Sequence, residues 1–201
     1  MFKRFLISLF GGLSLQHAAF AADPVILVFG DSLSAGYGIA ANQAWPSLLG
    51  QQLVQQGKKY RVVNASVSGE TTAGGLTRFL ATLKQHQPKW VILALGANDG
   101  LRGLPIATMQ NNLAEMIRQS QASGAKVHLI GMQMPPNYGA AYTQQFAAVY
   151  PALAKQYRTS LTPFLLAPII QQNNYFQADQ FHPTAAAQPL LLKAILQDLK
   201  L

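Results

Sequence analysis

Apolar residues gather in short unbroken runs along this chain, separated by longer mixed stretches that glycine and proline bound. Val25-Ile26-Leu27-Val28-Phe29 is the first run and predicts a strand over Val25–Phe29. Arg61–Asn64, Trp90–Leu95, Val127–Met132 and a short Leu161–Pro163 predict four more. Helices are predicted over Ala44–Gln56, with Pro46 near its start and Gly57 at its end, and over Thr72–Gln85, stopped by Pro88. Three others follow: Ile106–Ser123 ending at Gly124, Ala140–Tyr157 kinked at Pro151, and Thr184–Leu199 with Pro189 near its first turn. The strand runs are continuously apolar rather than alternating, which marks a sheet covered on both faces. Regular alternation of strand and helix then predicts an α/β fold: a three-layer α/β/α sandwich around a five-stranded parallel sheet, in one domain.

In such a sheet, ligands bind outside the carboxyl ends of the strands, near a topological switch point. Small and polar residues stand at those ends. Gly30-Asp31-Ser32 follows the first strand, and Asn64-Ala65-Ser66-Val67-Ser68-Gly69-Glu70-Thr71 the second. Gly96-Ala97-Asn98-Asp99-Gly100 follows the third, and Gln133-Met134-Pro135-Pro136-Asn137-Tyr138-Gly139 the fourth. Asp179-Gln180-Phe181-His182-Pro183 precedes the last helix.

The first residues change the picture of the mature protein. Met1-Phe2-Lys3-Arg4 is a basic start, Phe5 to Leu15 is apolar but too short to span a bilayer, and Ala19-Phe20-Ala21 is a small-x-small site. That order predicts a signal peptide over 1–21, cleaved after Ala21, and a periplasmic or secreted domain over 22–201. No other segment is apolar and long enough for a membrane span, so no stable membrane insertion is expected. With no cysteine, an exported chain has no disulfide and must rely on its core. The net charge is +8, but the basic residues are scattered, with no basic run interleaved with aromatics, so nucleic-acid binding is not expected. The chain is read as a monomer.

Three histidines lie beyond the predicted signal. His86 sits at a helix end among glutamines, and His128 lies inside a strand, where a core histidine is the simpler reading. His182 stands in a polar loop with an acid three residues earlier, which suits a general base. A serine hydroxyl needs such a base, and the base needs an acid to fix its tautomer. Ser32, His182 and Asp179 supply the three types. Taken alone, D-x-x-H is more simply an N-cap aspartate with a chance histidine. Acyl transfer also needs donors aimed at an oxyanion. Gly69, Asn98 and the Ser32 N–H supply those, each at the correct strand end. A G-x-S-x-G nucleophile elbow is absent, since position 34 is serine.

These blocks resemble the SGNH hydrolase family, also called the GDSL family. The first block matches Gly30-Asp31-Ser32-Leu33-Ser34, the glycine block Gly69, the asparagine block Gly96-Ala97-Asn98-Asp99, and the last block Asp179-Gln180-Phe181-His182-Pro183. The stretches Asn98-Asp99-Gly100-Leu101-Arg102-Gly103, Pro135-Pro136-Asn137-Tyr138-Gly139 and Ala187-Gln188-Pro189 are similar to its exported thioesterase, arylesterase and lysophospholipase branch. The resemblance implies a flavodoxin-like fold and a serine esterase acting on small-molecule or lipid acyl esters and thioesters, with Ser32, Asp179 and His182 as catalytic residues. It implies Ser32, Gly69 and Asn98 as the oxyanion hole, and no metal or organic cofactor. Leu101, Leu104, Met134, Pro135, Tyr138 and Phe181 are expected to bind the acyl chain, with Gly100–Gly103 free to move over it. Phe181 and Ala185-Ala186-Ala187 depart from that branch and bear on substrate preference. Two rivals remain: a lipid-binding carrier without turnover, and a carbohydrate acetylesterase on the same fold.

Overall fold

Five strands, Val25–Gly30 (β1), Arg61–Asn64 (β2), Trp90–Ala94 (β3), Lys126–Ile130 (β4) and Ser160–Thr162 (β5), pair in parallel in the order β2-β1-β3-β4-β5. The computed structural model describes residues 23–201, and the expected signal peptide and its cleavage point lie outside them. The strand order reverses direction at β1. That makes the β1–β3 boundary the switch point at which α/β sheets open a crevice. β1 is buried along its whole length, and Ile26, Leu27, Val28 and Phe29 have no accessible surface. Burying side chains of this size contributes about 1.5–3 kcal/mol each. The unbroken apolar run is thus what a central strand covered from both sides requires.

Helices Ser32–Ala35 (α1), Trp45–Gln55 (α2), Thr72–His86 (α3), Ala97–Leu101 (α4), Ile106–Ala122 (α5), Ala140–Tyr157 (α6) and Gln188–Asp198 (α7) surround the sheet. α2 and α7 pack on one face of the sheet, and α3, α5 and α6 lie side by side on the other. The expected sandwich and its five parallel strands are therefore present. α1 and α4 were not read from the sequence; each is about one turn, too short to show helical periodicity. The last helix begins at Gln188 rather than Thr184, because Ala185–Ala187 forms a separate 3-10 turn before Pro189 opens the α-helix. Gln188 is buried and its side chain accepts the Trp45 N–H at 3.0 Å, joining α7 to the start of α2. Pro151 lies inside α6, which runs through it.

His128 is the core histidine the sequence suggested. It has no accessible surface, and its ring nitrogens lie 2.8 Å from Ser160 Oγ and 3.0 Å from Thr162 Oγ1, tying β4 to the edge strand β5. Burial lowers its pKa to about 4. The folded state thus resists a proton that the unfolded chain accepts near pH 6.5. The stability this gives is complete above that pH and is lost as pH falls towards 4. We expect the unfolding free energy to drop by roughly 3 kcal/mol through this group over that window. A His128→Gln variant, titrated with urea at each pH, should show a flatter dependence than the wild type.

Candidate active site

Two short helices and one loop meet above the β1–β3 boundary. At the end of β1, Asp31 caps α1, its carboxylate accepting the Leu33 N–H at 3.0 Å. Ser32 is then the first residue of α1, and its own N–H has no acceptor within the helix. The Asn64 side-chain amide at the end of β2 donates to the Ser34 carbonyl at 2.8 Å and holds α1 from the other side.

His182 arrives from a closed loop. Phe176 and Pro183 form an isolated antiparallel bridge, and the Gln177 N–H donates to the His182 carbonyl at 2.8 Å. Inside it Asp179 turns back on its own backbone. Its Oδ1 accepts the Phe181 and His182 N–H groups at 2.9 and 3.0 Å, while Oδ2 lies 2.7 Å from His182 Nδ1. His182 Nε2 lies 2.9 Å from Ser32 Oγ. The carboxyl pKa falls to about 2, first through the His182 backbone N–H, then through the His182 ring and the Phe181 N–H. An ionised carboxylate at Nδ1 keeps the proton on that nitrogen, so Nε2 faces the serine hydroxyl as an acceptor.

The sequence reading missed two side chains that hold this loop. The Gln177 amide donates to the carbonyls of Tyr37 at 2.7 Å and Pro183 at 3.0 Å. The Tyr37 ring lies 4.5 Å, centroid to centroid, from that of His182. Gly38 has φ +75°, and a Cβ there would collide with the Gln177 amide. Neither carried a local signal, since the partners of Tyr37 and Gly38 lie about 140 residues away in the chain.

Asn98 lies in α4, directly after β3. Its Nδ2 donates to the Glu70 carbonyl at 3.1 Å and stands 3.5 Å from Asp31 Oδ2. Below it Asp99 is buried and accepts the Thr72 N–H at 2.8 Å and the Thr72 hydroxyl at 2.6 Å. Gly69, at φ +78°, offers its carbonyl to the Arg102 guanidinium at 2.9 Å. The neighbouring Glu70 carboxylate is held by Arg78, whose guanidinium lies 4.0 Å from the centre of the Phe29 ring. The Gly69–Glu70 turn and α4 are thus cross-linked twice, through Asn98 and through Arg102. Burial raises the Asp31 pKa to about 7, with Asp99 and Glu70 adding to the effect and the Leu33 N–H opposing it.

A cleft of about 940 Å³ opens beside these residues. Ser32, Asn98, Asp179 and His182 line it, together with Leu101, Met134, Pro135, Tyr138 and Phe181. Leu104 is not part of its wall; its N–H closes a turn onto the Asp99 carbonyl at 2.9 Å. Gly69 is likewise outside the wall, joined to it through the Asn98–Glu70 bond. Gly100 is no free end of a mobile segment: it is buried in α4, where a Cβ would collide with Met134 Sδ and the Phe146 ring. It is glycine for close packing. Phe164, Leu166, Ile170 and Phe176 add an apolar wall from the stretch after β5, which carries no recognisable motif.

Comparison with known proteins fits this geometry. Residues 28–189 match the model of the GDSL-like lipase/acylhydrolase family. The chain belongs to that family. It is 48% identical over 180 residues to the esterase TesA of Pseudomonas aeruginosa, covering 90% of each chain. It is 42% identical over 177 residues to the thioesterase 1/protease 1/lysophospholipase L1 of Escherichia coli, covering 88% of this chain and 83% of that one. Among solved structures, the psychrotrophic esterase EstA from Pseudoalteromonas, inhibited by monoethylphosphonate, superposes with a TM-score of 0.83 at 37% identity. It covers 88% of this chain and 96% of its own. The resemblance read from the sequence blocks is borne out, and this hydrolase is a carboxylic ester hydrolase.

The Asp99–Thr72 pair carries a specific expectation. Replacing Thr72 with Val keeps the backbone bond but leaves Asp99 Oδ1 without its hydroxyl donor. Urea unfolding should then give a loss of about 1–3 kcal/mol, the cost of an unsatisfied buried acceptor. An unchanged midpoint would mean that this pair does not brace α4.

Proposed function

We propose that this enzyme hydrolyses acyl esters and thioesters through an acyl-enzyme on Ser32. One observation carries the reading: Asp179, His182 and Ser32 stand in an unbroken line of contacts, 2.7 Å and 2.9 Å long. Ser32 Oγ attacks the acyl carbonyl as His182 Nε2 takes its proton. Asp179 holds the ring and stabilises the imidazolium. The oxyanion is met by the Ser32 N–H, the Gly69 N–H and the Asn98 side chain. Asn98 Nδ2 carries two protons: one goes to the Glu70 carbonyl at 3.1 Å, and the other, held only by the 3.5 Å contact to Asp31 Oδ2, turns to the substrate. His182 then returns its proton to the leaving alcohol or thiol. Water, activated by the same ring, releases the acyl chain.

The apolar wall of the cleft supports a fatty acyl group, held against Leu101, Met134, Pro135, Tyr138 and Phe181. Thioester and lysophospholipid substrates accord with the name of the Escherichia coli relative. Leu104 remains a contact only if it turns inward with substrate bound. The N-terminal pattern at 1–21 supports export to the periplasm or beyond. Among the described residues no helix is long and apolar enough to cross a membrane. One chain supplies every group in the mechanism, which supports a monomer.

Fluorophosphonate labelling, with the modified peptide located by mass spectrometry, tests the nucleophile. The label should fall on Ser32 and disappear in His182→Ala. Ser32→Ala should lower ester turnover by roughly 10⁴–10⁶, and near wild-type activity would end the proposal. Asp179→Asn keeps the shape but not the charge, and kcat should fall by about 10²–10⁴. For the acyl wall, Tyr138→Ala together with Phe181→Ala should shift the chain-length profile while leaving acetate-ester turnover within about threefold, as an acetyl group does not reach the two lost apolar contacts. An unaltered profile would remove both residues from the acyl site.

A further inference from the structure

Charge is distributed unevenly between the two ends of the sheet. Asp31, Glu70, Asp99 and Asp179 all lie at the cleft end, whereas nine lysines and arginines gather at the opposite one. Strand register fixes a row of four. Arg61 begins β2 beside Val25. The Lys89 N–H donates to the Val25 carbonyl and the Lys126 N–H to the Lys89 carbonyl. Arg158 closes α6 two residues before β5. The row crosses the sheet from β2 to β5, about 19 Å at ordinary strand spacing.

The other five flank it. Lys58 and Lys59 follow α2 and Lys200 follows α7, on one face of the sheet; Lys84 and Lys155 lie in the last turns of α3 and α6, on the other. All nine are exposed, and among the described residues none forms a salt bridge. The acidic side chains at this end are Asp23 and Asp198. Lys84 and Lys155 offset the negative C-terminal ends of their helices. Arg61, Lys89 and Lys126 stand at strand starts, where no helix dipole accounts for them, although the Lys126 ammonium also lies 5.3 Å from the centre of the Trp90 ring.

We propose that this face docks on an anionic lipid bilayer and turns the cleft away from it. The cations occupy all three layers of the sandwich, so they form a plane rather than a groove. A plane matches an array of headgroups; a linear polyanion is tracked by a groove. Substrate then enters from the aqueous side while the domain stays at the surface.

Cosedimentation with sucrose-loaded vesicles tests this on the protein as isolated. At low salt it should bind vesicles containing phosphatidylglycerol and not vesicles of phosphatidylcholine alone. Each cation at an anionic surface is worth about fivefold in binding. The combined Lys58→Gln, Lys59→Gln, Lys89→Gln and Lys126→Gln variant should therefore lose affinity on the order of several hundredfold. Its thermal unfolding and its turnover of a soluble ester should match the wild type. About 0.5 M salt should release the wild type, because screening then acts over a few ångströms. A control, Arg118→Gln with Lys193→Gln, should bind as the wild type does. No preference for anionic vesicles, or equal weakening by the control, would overturn the proposal. So would retention by dextran sulfate without vesicle binding, which would assign the face to a polymer.

Discussion

A single contact, between Ser32 Oγ and His182 Nε2, joins residues 150 positions apart in the chain. Neither end of it is rigid by itself. Ser32 begins a four-residue helix, and His182 sits in a loop with one isolated bridge. Both ends are instead held by hydrogen bonds between side chain and backbone: Asp31 and Asn64 for α1, Asp179 and Gln177 for the loop. Each bond is worth only about 1 kcal/mol, and the geometry comes from their convergence. Gly38 belongs to the same set, since the amide of Gln177 occupies the space a side chain would need.

Four carboxyls crowd the cleft end of the sheet, and each is accommodated by different chemistry. Asp31 is buried with its pKa raised to about 7, which eases the repulsion from its neighbours. Glu70 is matched by Arg78. Asp99 takes two bonds from Thr72. Asp179 alone is left accessible and strongly ionised, stabilised by backbone N–H groups and the ring of His182. The electrostatics thus separate the acid beside the histidine from three that serve the scaffold. That sequesters negative charge in a site where an oxyanion must develop. It also leaves the excess cations to the far end of the molecule.

The blocks around Ser32, Asn98 and His182 were legible because each chemical type sits in a short local pattern. Asp179 and His182 lie three residues apart, and a single turn brings them together. The core was legible for the same reason: an apolar run such as Val25–Phe29 has few alternatives to a buried strand. Local patterns did not reveal Gln177, Tyr37, Arg102 or the wall from Phe164 to Phe176. Their partners lie far away in the chain, and their residue types are common on surfaces. Leu104 shows the converse. It stands in a suggestive stretch, yet the turn at Gly103 carries it out of the cleft wall.

The order of apolar runs, helix stops and strand-end residues by itself determined the α/β class, the parallel sheet and the family. These depend on patterns within a few residues and on a chain order that allows few topologies. Only the tertiary structure decided which side chains share a cleft, how the His182 ring meets Ser32, and why Gly100 carries no side chain. Those facts depend on distances between segments that follow different strands. Such distances arise when distant segments pack, and no local pattern contains them.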